Sequence, residues 1–254
     1  MTILILGGTT EATALARRLA ETCPGMPALV SLAGRTSAPK PLALPIRIGG
    51  FGGIDGLGAF LAENRVAVVI DATHPFAAIM PFNAEAACRL AQVPLLALRR
   101  PPWTPVAGDT WIEAKDMADA AAALGAEPRR VFLTIGRQEL GAFARAPQHH
   151  YLVRSIEPIG DVLPAPHVTR IEARGPFLVE DELALMRRER IDLVVSKNSG
   201  GAQTEAKLAA ARGLGLAVVM VARPAKPDVA TAETVDQALA WLAAHGLTPT
   251  ERGV

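Results

Sequence analysis

The sequence has little of several features that mark common classes of protein. Its 254 residues include two cysteines, Cys23 and Cys88, only 4% aromatic residues, and basic and acidic side chains that nearly balance at a net charge of +1. The cysteines lack the spacing of a metal site, so we expect reduced thiols that bind no metal. The balanced charge argues against general nucleic-acid binding, which is typical of strongly basic chains.

Long apolar runs are missing as well. No run approaches the roughly 20 residues that a helix needs to cross a bilayer. Met1 and Thr2 lead directly into a short apolar run, without the basic region and the cleavage site of a signal peptide. We therefore expect a cytoplasmic protein with no membrane partner.

The clearest motif present is ILILGGTTEATALAR at residues 3–17. Its apolar start predicts a strand buried on both faces, Gly7 and Gly8 permit a sharp turn, and a helix follows. A helix that begins at the end of a buried strand is suited to binding a nucleotide phosphate, because its free N–H groups and its dipole favour an anion. The standard fingerprint G-x-G-x-x-G is incomplete, since Thr9 and Ala12 replace two glycines. A purely structural turn is therefore the alternative.

The end of the next predicted strand indicates which nucleotide would bind. NAD sites normally offer an acidic residue there, whereas NADP sites offer an arginine. No Asp or Glu lies between Glu21 and Asp55, and Arg35 stands at the expected place. The pattern predicts NADPH or NADP, with Arg35 on the 2′-phosphate, and a solvated loop arginine is the alternative. The candidate cofactor-binding residues are Gly7, Gly8, Thr9, Thr10, Glu11, Ser31, Gly34, Arg35, Thr36, Gly50 and Thr73.

Buried strands alternate with helices along the chain, and the pattern occurs twice. The strand and turn at residues 131–140 resemble the opening motif. We predict an α/β protein with two Rossmann-like doubly wound parallel-sheet domains that arise from an internal repeat. The predicted NADPH-binding domain is 1–110 and the predicted substrate-binding domain is 111–254, with the boundary within 101–130. Each half ends in a short strand and a helix, which could pack on their own half or be exchanged with the other.

Basic residues recur at the strand ends of the second half. Ligands of open parallel sheets bind at the carboxyl ends of the strands, so repeated cations there predict an anionic ligand such as a polycarboxylate or a phosphate compound. Scattered salt bridges are the alternative. We expect the strand ends of the two sheets to line one cleft, with the cofactor and this anion on opposite sides. The candidate substrate-binding residues are Arg137, Arg154, Arg174, Lys197, Asn198, Ser199, Gly200, Thr204 and Arg223.

His74 is the candidate catalytic residue. It follows a buried strand and precedes Pro75, which helps to fix the loop. An imidazole at this position could donate a proton or contact a substrate carboxylate, and a structural role is the alternative. We interpret His149 and His150 as a solvated turn, and no residues have the spacing of a metal site.

Together these segments resemble the precorrin-6A reductase family of cobalamin (corrin) biosynthesis. The matching segments cover nearly the whole chain: GGTTEA at 7–12, SLAGRT at 31–36, GGFGG at 49–53, DATHPFA at 71–77, RPPW at 100–103, IGRQEL at 135–140, RGPF at 174–177 and SKNSGG at 196–201. The resemblance implies an oxidoreductase that uses NADPH to reduce precorrin-6A to precorrin-6B, with hydride added to C19 and a proton to the adjacent carbon. It also implies a flat substrate with many carboxylates, which fits the row of basic residues. Transient contact with the next enzyme of the pathway is a further expectation.

Three other functions fit the residues less well. A reductase of another polyanion would share the same machinery. A redox-sensing regulator would bind NADP(H) without oxidising it, and a two-lobed glycosyltransferase-like protein would bind a sugar nucleotide. The oligomeric state, the proton donor and the pairing of basic residues with carboxylates stay open.

Overall fold

The computed structural model describes residues 1–34 and 41–247. This part of the chain forms two six-stranded sheets whose paired strands are all parallel. The predicted α/β class is therefore confirmed. Within the same part of the chain, no helix combines the length and the apolar character that a membrane crossing requires.

The first sheet is built mainly from the N-terminal part of the chain. Its strands are β1 (Thr2–Leu6), β2 (Ala28–Leu32), β3 (Ile46–Ile48), β4 (Val66–Asp71), β5 (Leu95–Leu98) and β12 (Ala230–Ala232), in the order β12-β5-β4-β1-β2-β3. The accompanying helices are α1 (Thr10–Thr22), α2 (Gly53–Glu63), α3 (Met80–Ala91) and α7 (Val235–Ala244).

Strand β1 lies inside this sheet, between β2 and β4. Successive side chains of a strand point to opposite faces, so an entirely apolar strand requires a core on each side. Ile3 and Ile5 belong to the core that contains Leu15 of α1, whereas Leu4 and Leu6 belong to the core formed with α2 and α3. The prediction that this strand is buried on both faces is confirmed.

Helix α1 packs on the sheet through a single apolar stripe. Its buried residues recur at the three- and four-residue spacing of one helix face, and they are Ala12, Leu15, Ala16 and Leu19. The buried Ala238 and Leu242 of α7 belong to the same core. The C-terminal helix therefore completes the hydrophobic core of the first sheet.

The second sheet has the same arrangement of parallel strands. Its strands are β6 (Thr110–Ala114), β7 (Arg130–Leu133), β8 (His150–Ser155), β9 (Val168–Glu172), β10 (Leu193–Lys197) and β11 (Ala217–Val221), in the order β6-β11-β10-β7-β8-β9. Its α-helices are α4 (Met117–Ala122), α5 (Val179–Arg188) and α6 (Ala206–Gly213), and its 3₁₀ helices are Arg137–Arg145 and Ala202–Thr204. Phe132, Met186, Val194 and Leu208 belong to one of its cores.

The chain forms two compact units, and the first of them combines two separate stretches of the sequence. The first unit joins Met1–Pro101 to the stretch that begins at Pro224, and the second is Pro102–Arg223. This division differs from the contiguous domains 1–110 and 111–254 predicted above. The reason lies in the strand pairing, because β12 adds to β5 in the first sheet and β6 adds to β11 in the second.

The sequence analysis did not identify two strands, β3 and β9, because they lie at the edges of their sheets. β3 and β9 are each paired on one side only, and neither contains a fully buried residue. Ile48 of β3, for example, is 58% exposed. Such strands lack the apolar run by which the central strands were recognised.

The interpretation of His149 and His150 as a solvated turn is wrong. His149 is fully buried, and its Nδ1 accepts a hydrogen bond from the Arg129 backbone N–H at 3.2 Å. His150 begins β8, and its ring stacks on that of His167 with 4.2 Å between centroids. Burial lowers the pKa of His149, and the neighbouring Arg129 lowers it further, against the opposing effect of a backbone hydrogen bond to Gly125.

Candidate active site

A cavity of about 260 Å³ lies at the carboxyl ends of four adjacent strands in the first unit. Residues that follow β1, β2, β3 and β4 line it, as expected for a ligand site of an open parallel sheet. Its lining includes six of the predicted cofactor-binding residues and His74; these are Gly7, Gly8, Ser31, Gly34, Gly50, Thr73 and His74. Its apolar wall, which the sequence did not suggest, consists of Leu6, Leu32, Ala33, Ile48, Phe51, Ala77 and Met80.

The turn from β1 into α1 forms one side of this cavity. A Cβ atom at Gly7 would lie 2.8 Å from Val30 Cγ1 and 3.0 Å from Leu32 Cδ2, so this position has no room for a side chain. The Thr9 hydroxyl accepts a hydrogen bond from the Ala12 N–H at 3.1 Å and donates one to the Ala72 carbonyl at 2.8 Å. Thr9 therefore caps α1 and ties it to the end of β4.

Thr10 and Glu11 lie at the start of α1 but not in the lining of the cavity. The Arg100 guanidinium donates to Glu11 Oε2 at 2.7 Å, and both side chains are mostly buried. Arg100 also lies within 3.4 Å of the Thr10 hydroxyl. The arginine offsets the negative charge that Glu11 would otherwise place at this helix end.

The part of the cavity formed by β2 and β3 is stabilised by Arg47, which the sequence analysis did not single out. Arg47 of β3 donates to the Gly49 and Gly50 carbonyls at 2.6 Å each, and it lies 3.3 Å from the Ser31 hydroxyl. Its guanidinium also stacks on Phe51 at 4.0 Å. These contacts fix the glycine-rich loop after β3. Arg35 and Thr36, which were predicted to bind the cofactor, lie outside the described residues.

The β4 side of the cavity carries Thr73 and His74. The buried Asp71 carboxylate accepts hydrogen bonds from the Thr73 N–H at 3.1 Å and the Thr73 hydroxyl at 2.7 Å. His74 Nδ1 accepts a hydrogen bond from the Phe76 N–H at 3.2 Å. Since Nδ1 is the acceptor, the neutral ring carries its proton on Nε2.

Arg99 lies close to Asp71, with 3.9 Å between Nη2 and Oδ2. Its Nη2 is buried and has no hydrogen-bond partner among the residues that the structure describes. Burial lowers the pKa of Arg99, and the Asp71 charge opposes that effect. The pair places opposite charges at the end of β4, next to Thr73 and His74.

In the second unit, the basic residues predicted from sequence lie at the carboxyl ends of five strands that are neighbours in the sheet. In the order of the strands across the sheet, from β11 to β9, they are Arg223, Lys197, Arg137, Arg154 and Arg174. We call this row the basic edge.

The members of the basic edge differ in their surroundings. Arg137 and Arg174 are exposed. Lys197 donates to Glu139 Oε1 at 2.9 Å, and Arg223 donates to the carbonyls of Asn198 and Ser199 at 2.8 Å and 3.0 Å. Both side chains are partly buried.

Arg154 stands apart, because its side chain is only 8% exposed and forms an ion pair with the buried Glu182 of α5. Its guanidinium also lies 3.7 Å from the centre of the Phe177 ring. Arg154 therefore faces other side chains of the protein, not the surface at which Arg137 and Arg174 are exposed.

The loop after β10 brings together the other predicted residues. Gly200 adopts a φ of 67°, in the left-handed region that favours glycine. Asn198 accepts a hydrogen bond from the Trp103 N–H at 2.8 Å and donates one to the Trp103 carbonyl at 3.0 Å. The Thr204 carbonyl accepts a hydrogen bond from the buried Lys207 at 2.6 Å. The roles of Trp103 and Lys207 could not be read from the sequence, since they depend on partners that come together only in the fold.

Comparison with known proteins identifies the family of the chain. A family model described as precorrin-6x reductase CbiJ/CobK matches residues 2–243. The chain belongs to this family. A precorrin-6A reductase of Rhodobacter capsulatus is 52% identical over 252 residues, which are 99% of each chain. One of Sinorhizobium is 51% identical over 247 residues, which are 97% of this chain and 94% of the relative.

More distant relatives and a solved structure extend the comparison. A cobalt-precorrin-6A reductase of Salmonella typhimurium is 30% identical over 234 residues, with 87% of each chain covered. A solved structure of a CobK precorrin-6A reductase shares 52% identity with a TM-score of 0.93, and the match covers all of both chains. Membership of the precorrin-6x reductase family makes this chain a reductase with the fold of that structure. In the described residues, no group of three or more His, Cys, Asp or Glu side chains is placed to bind a metal ion.

Proposed function

We propose that the protein is a precorrin-6A reductase of cobalamin biosynthesis that uses NADPH to form precorrin-6B. The observation that carries this proposal is the 52% identity to a precorrin-6A reductase over 99% of both chains. Similarity of this extent covers both units.

The first unit offers a site that fits the nucleotide cofactor. The cavity lies at the carboxyl ends of β1 to β4, and the lack of room for a Cβ at Gly7 keeps the turn after β1 packed closely against β2 beside it. When bound, NADPH supplies the hydride that reduces C19 of the macrocycle. In this proposal Gly7 and Gly8 approach the phosphates, Ser31 and Gly34 flank the ribose, and Arg35 binds the 2′-phosphate.

The second unit supplies the cations that precorrin-6A requires. A macrocycle with many acetate and propionate groups is best anchored by several fixed positive charges. Arg137 and Arg174 are exposed at the basic edge and are suited to direct pairing with carboxylates. Lys197, Arg223 and the loop of Asn198, Ser199, Gly200 and Thr204 would complete the substrate site.

His74 is proposed to act at the macrocycle. The hydrogen bond from the Phe76 N–H holds Nδ1 as an acceptor, so Nε2 is the atom that carries a proton. In this neutral form the Nε2–H would bind a substrate carboxylate; to give a proton to the carbon adjacent to C19 and end as neutral imidazole, the ring must first be protonated at Nδ1, which releases the Phe76 N–H. We expect His74→Ala to lower kcat across neutral pH, and His74→Gln to restore only a role in binding. Unchanged turnover of the alanine variant would exclude the acid role.

The deciding experiment is anaerobic mixing of the purified protein with precorrin-6A and NADPH. The pigment spectrum and the NADPH absorbance are followed together, and NADH serves as the control cofactor. Coupled changes that are fast with NADPH and slow with NADH would support the proposal. Binding of NADPH without oxidation would instead indicate another polyanionic substrate or a sensor of NADP(H).

The cofactor preference has its own test. Because Arg35 is proposed to contact the 2′-phosphate, which NADH lacks, Arg35→Glu is expected to weaken NADPH binding far more than NADH binding. Equal losses for both nucleotides would remove the assignment of Arg35. The Arg65→Glu variant, at an exposed arginine remote from the cavity lining, is the matched control.

A cobalt-containing substrate is the second candidate. The relatives named cobalt-precorrin-6A reductase are about 30% identical to this chain, against 52% for a relative named precorrin-6A reductase. We therefore expect the metal-free substrate to give the higher kcat/KM when the two are compared in the same assay.

A further inference from the structure

The second unit contains a group of charged side chains in its interior that the proposed chemistry does not use. It consists of Arg154, Glu182 and Lys207, from β8, α5 and α6, and we call it the buried cluster. Glu182 is 1% exposed and Lys207 is 4% exposed. Charged side chains are rarely buried to this extent unless other groups compensate for their lost hydration.

Lys207 contacts two segments on the ligand side of the sheet. Its ammonium group donates a hydrogen bond to the Thr204 carbonyl at 2.6 Å and lies 5.0 Å from the centre of the Trp103 ring. The second contact is a cation–π interaction, which requires the charged form of the lysine. Lys207 thus joins the loop after β10 to the segment that precedes β6.

Trp103 also contacts the loop after β10, which carries several of the proposed substrate-binding residues. Its backbone N–H and carbonyl form the two hydrogen bonds with the Asn198 side chain, at 2.8 Å and 3.0 Å. The loop from Asn198 to Thr204 is therefore held at its first residue through Trp103 and at its last through the Lys207 ammonium group. Asn198 and Thr204 are both proposed substrate-binding residues.

Arg154 and Glu182 connect the cluster to the segment that carries Arg174. The Arg154 guanidinium pairs with Glu182 and stacks on Phe177 at 3.7 Å. In the same segment, a Cβ atom at Gly175 would lie 3.2 Å from the Gln203 carbonyl, so this segment packs closely on the loop after β10. The buried cluster therefore contacts both the segment that carries Arg174 and the loop after β10.

We propose that Lys207 is a positioning residue for the tetrapyrrole site, in which its charged form holds the Asn198–Thr204 loop in the binding-competent conformation through the Thr204 carbonyl and the Trp103 ring. The inference rests on the proposed function of that loop. Lys207 itself does not touch the substrate. Its proton controls how firmly two substrate-binding residues are held.

The surroundings of Lys207 disfavour its charged form. Burial and the nearby Arg154, opposed by Glu182, together lower the pKa of Lys207 to about 7. Arg154, Glu182, Trp103 and Thr204 are the groups that face it from β8, α5, the segment before β6 and the loop after β10. Loss of the proton as the pH rises removes the cation–π interaction and weakens the hydrogen bond to Thr204.

The kinetic test compares wild type with Lys207→Met, which keeps the length of the apolar stem and removes the charge. Below pH 7 we expect the KM for precorrin-6A to rise about tenfold in the variant, a change of about 1.4 kcal/mol, with kcat and the Kd of NADPH nearly unchanged. In wild type the KM should rise as the pH increases through about 7, and in the variant this step should be absent. Lys115→Met, at an exposed lysine, is the matched control.

The second test measures the fluorescence of Trp103, which contacts the loop after β10, in the absence of substrate. The chain has three tryptophans, so a Trp111→Phe, Trp241→Phe background leaves Trp103 as the sole indole fluorophore. Titration of a cation beside the ring should change its fluorescence with a midpoint near pH 7, and Lys207→Met should abolish this change. An unchanged titration in the variant would overturn the inference.

The two proposals fail in different ways. If wild type does not reduce precorrin-6A, the proposed function fails, while the fluorescence titration still reports whether Lys207 acts on Trp103. If wild type is active and Lys207→Met has the same KM and the same pH profile, the positioning role is wrong and the function stands.

Discussion

At the scale of single residues, the candidate site depends on positions where adding or removing a single heavy atom changes the geometry of the turn between β1 and α1. Gly7 has no space for a methyl group beside Val30, and Thr9 uses its one hydroxyl for two hydrogen bonds. Neither residue is charged, yet both determine the shape of the turn between β1 and α1. The chemistry of the site therefore relies on backbone placement as much as on reactive side chains.

Gly7→Ala is expected to destabilise the protein by about 1–3 kcal/mol and to weaken NADPH binding, because the added Cβ meets the fully buried Val30 at 2.8 Å. Gly58→Ala is the matched control, since no atom lies within 4 Å of its added Cβ and alanine favours the interior of α2. Thermal unfolding and NADPH titration of the two variants provide the measurement. Equal effects at both positions would contradict the explanation.

His149 gives a prediction about acid stability. Its folded-state pKa is lowered from 6.5, so below pH 6.5 the unfolded chain binds more protons and stability is lost as the pH falls. His149→Asn keeps an acceptor for the Arg129 N–H and cannot be protonated in this range. We expect urea unfolding to show a smaller loss of stability between pH 6.5 and pH 5 in the variant. A parallel loss in both proteins would assign the acid sensitivity to other groups.

At the scale of elements, the start of α1 is secured by a cap that also reaches a neighbouring strand. Thr9→Val removes the acceptor for the Ala12 N–H and the donor to the Ala72 carbonyl. We expect a loss of about 1–2 kcal/mol in unfolding free energy, together with weaker NADPH binding. Thr9→Ser keeps the hydroxyl and should recover most of both, whereas wild-type stability and NADPH binding in Thr9→Val would show that the two hydrogen bonds are not responsible.

The elements also show which parts of the structure the sequence could predict. Central strands such as β1 and β4 were recognised because a strand buried on both faces must be apolar throughout. The edge strands β3 and β9 were missed, since their residues face solvent and lack that pattern.

The same limit applies to the candidate site. Gly7, Ser31 and Thr73 could be placed at the cavity because each lies at or just after the end of a recognisable strand, and all three line it; their binding of a cofactor stays a prediction. Arg47 could not, since its role depends on a missed strand and on partners that come together only in the fold. Arg154 was correctly placed at a strand end, but its pairing with Glu182 of α5 could not be read from spacing.

At the scale of the whole molecule, the first unit depends on both ends of the chain. β12 pairs with β5, and Ala232, Ala238 and Leu242 belong to the core that contains Ile3 and Ile5. The first sheet is thus completed by a strand that is distant in sequence from its other strands. Stability of the first sheet consequently depends on residues beyond the second unit.

A chain that ends at residue 223 is expected to lose the stability of the first sheet while keeping that of the second. Truncation removes β12 and α7 but leaves every strand from β6 to β11. Hydrogen exchange should show strong loss of protection in β1 and β4 and near-normal protection in β7 and β10. Retained protection in β1 would show that β12 and α7 are dispensable for this core.

The pairing of β12 with β5 also determines when the first sheet can be completed during biosynthesis. When β5 leaves the ribosome, its partner strand lies more than a hundred residues downstream, and at about 5–20 residues per second it is made on the order of ten seconds later. During that interval one side of β5 has no strand to pair with, and such an edge invites pairing with other chains. The second sheet, whose strands are all made in the meantime, can close first. A chaperone that binds nascent chains would therefore find its site at the unpaired edge of β5, and would release it once β12 has been made.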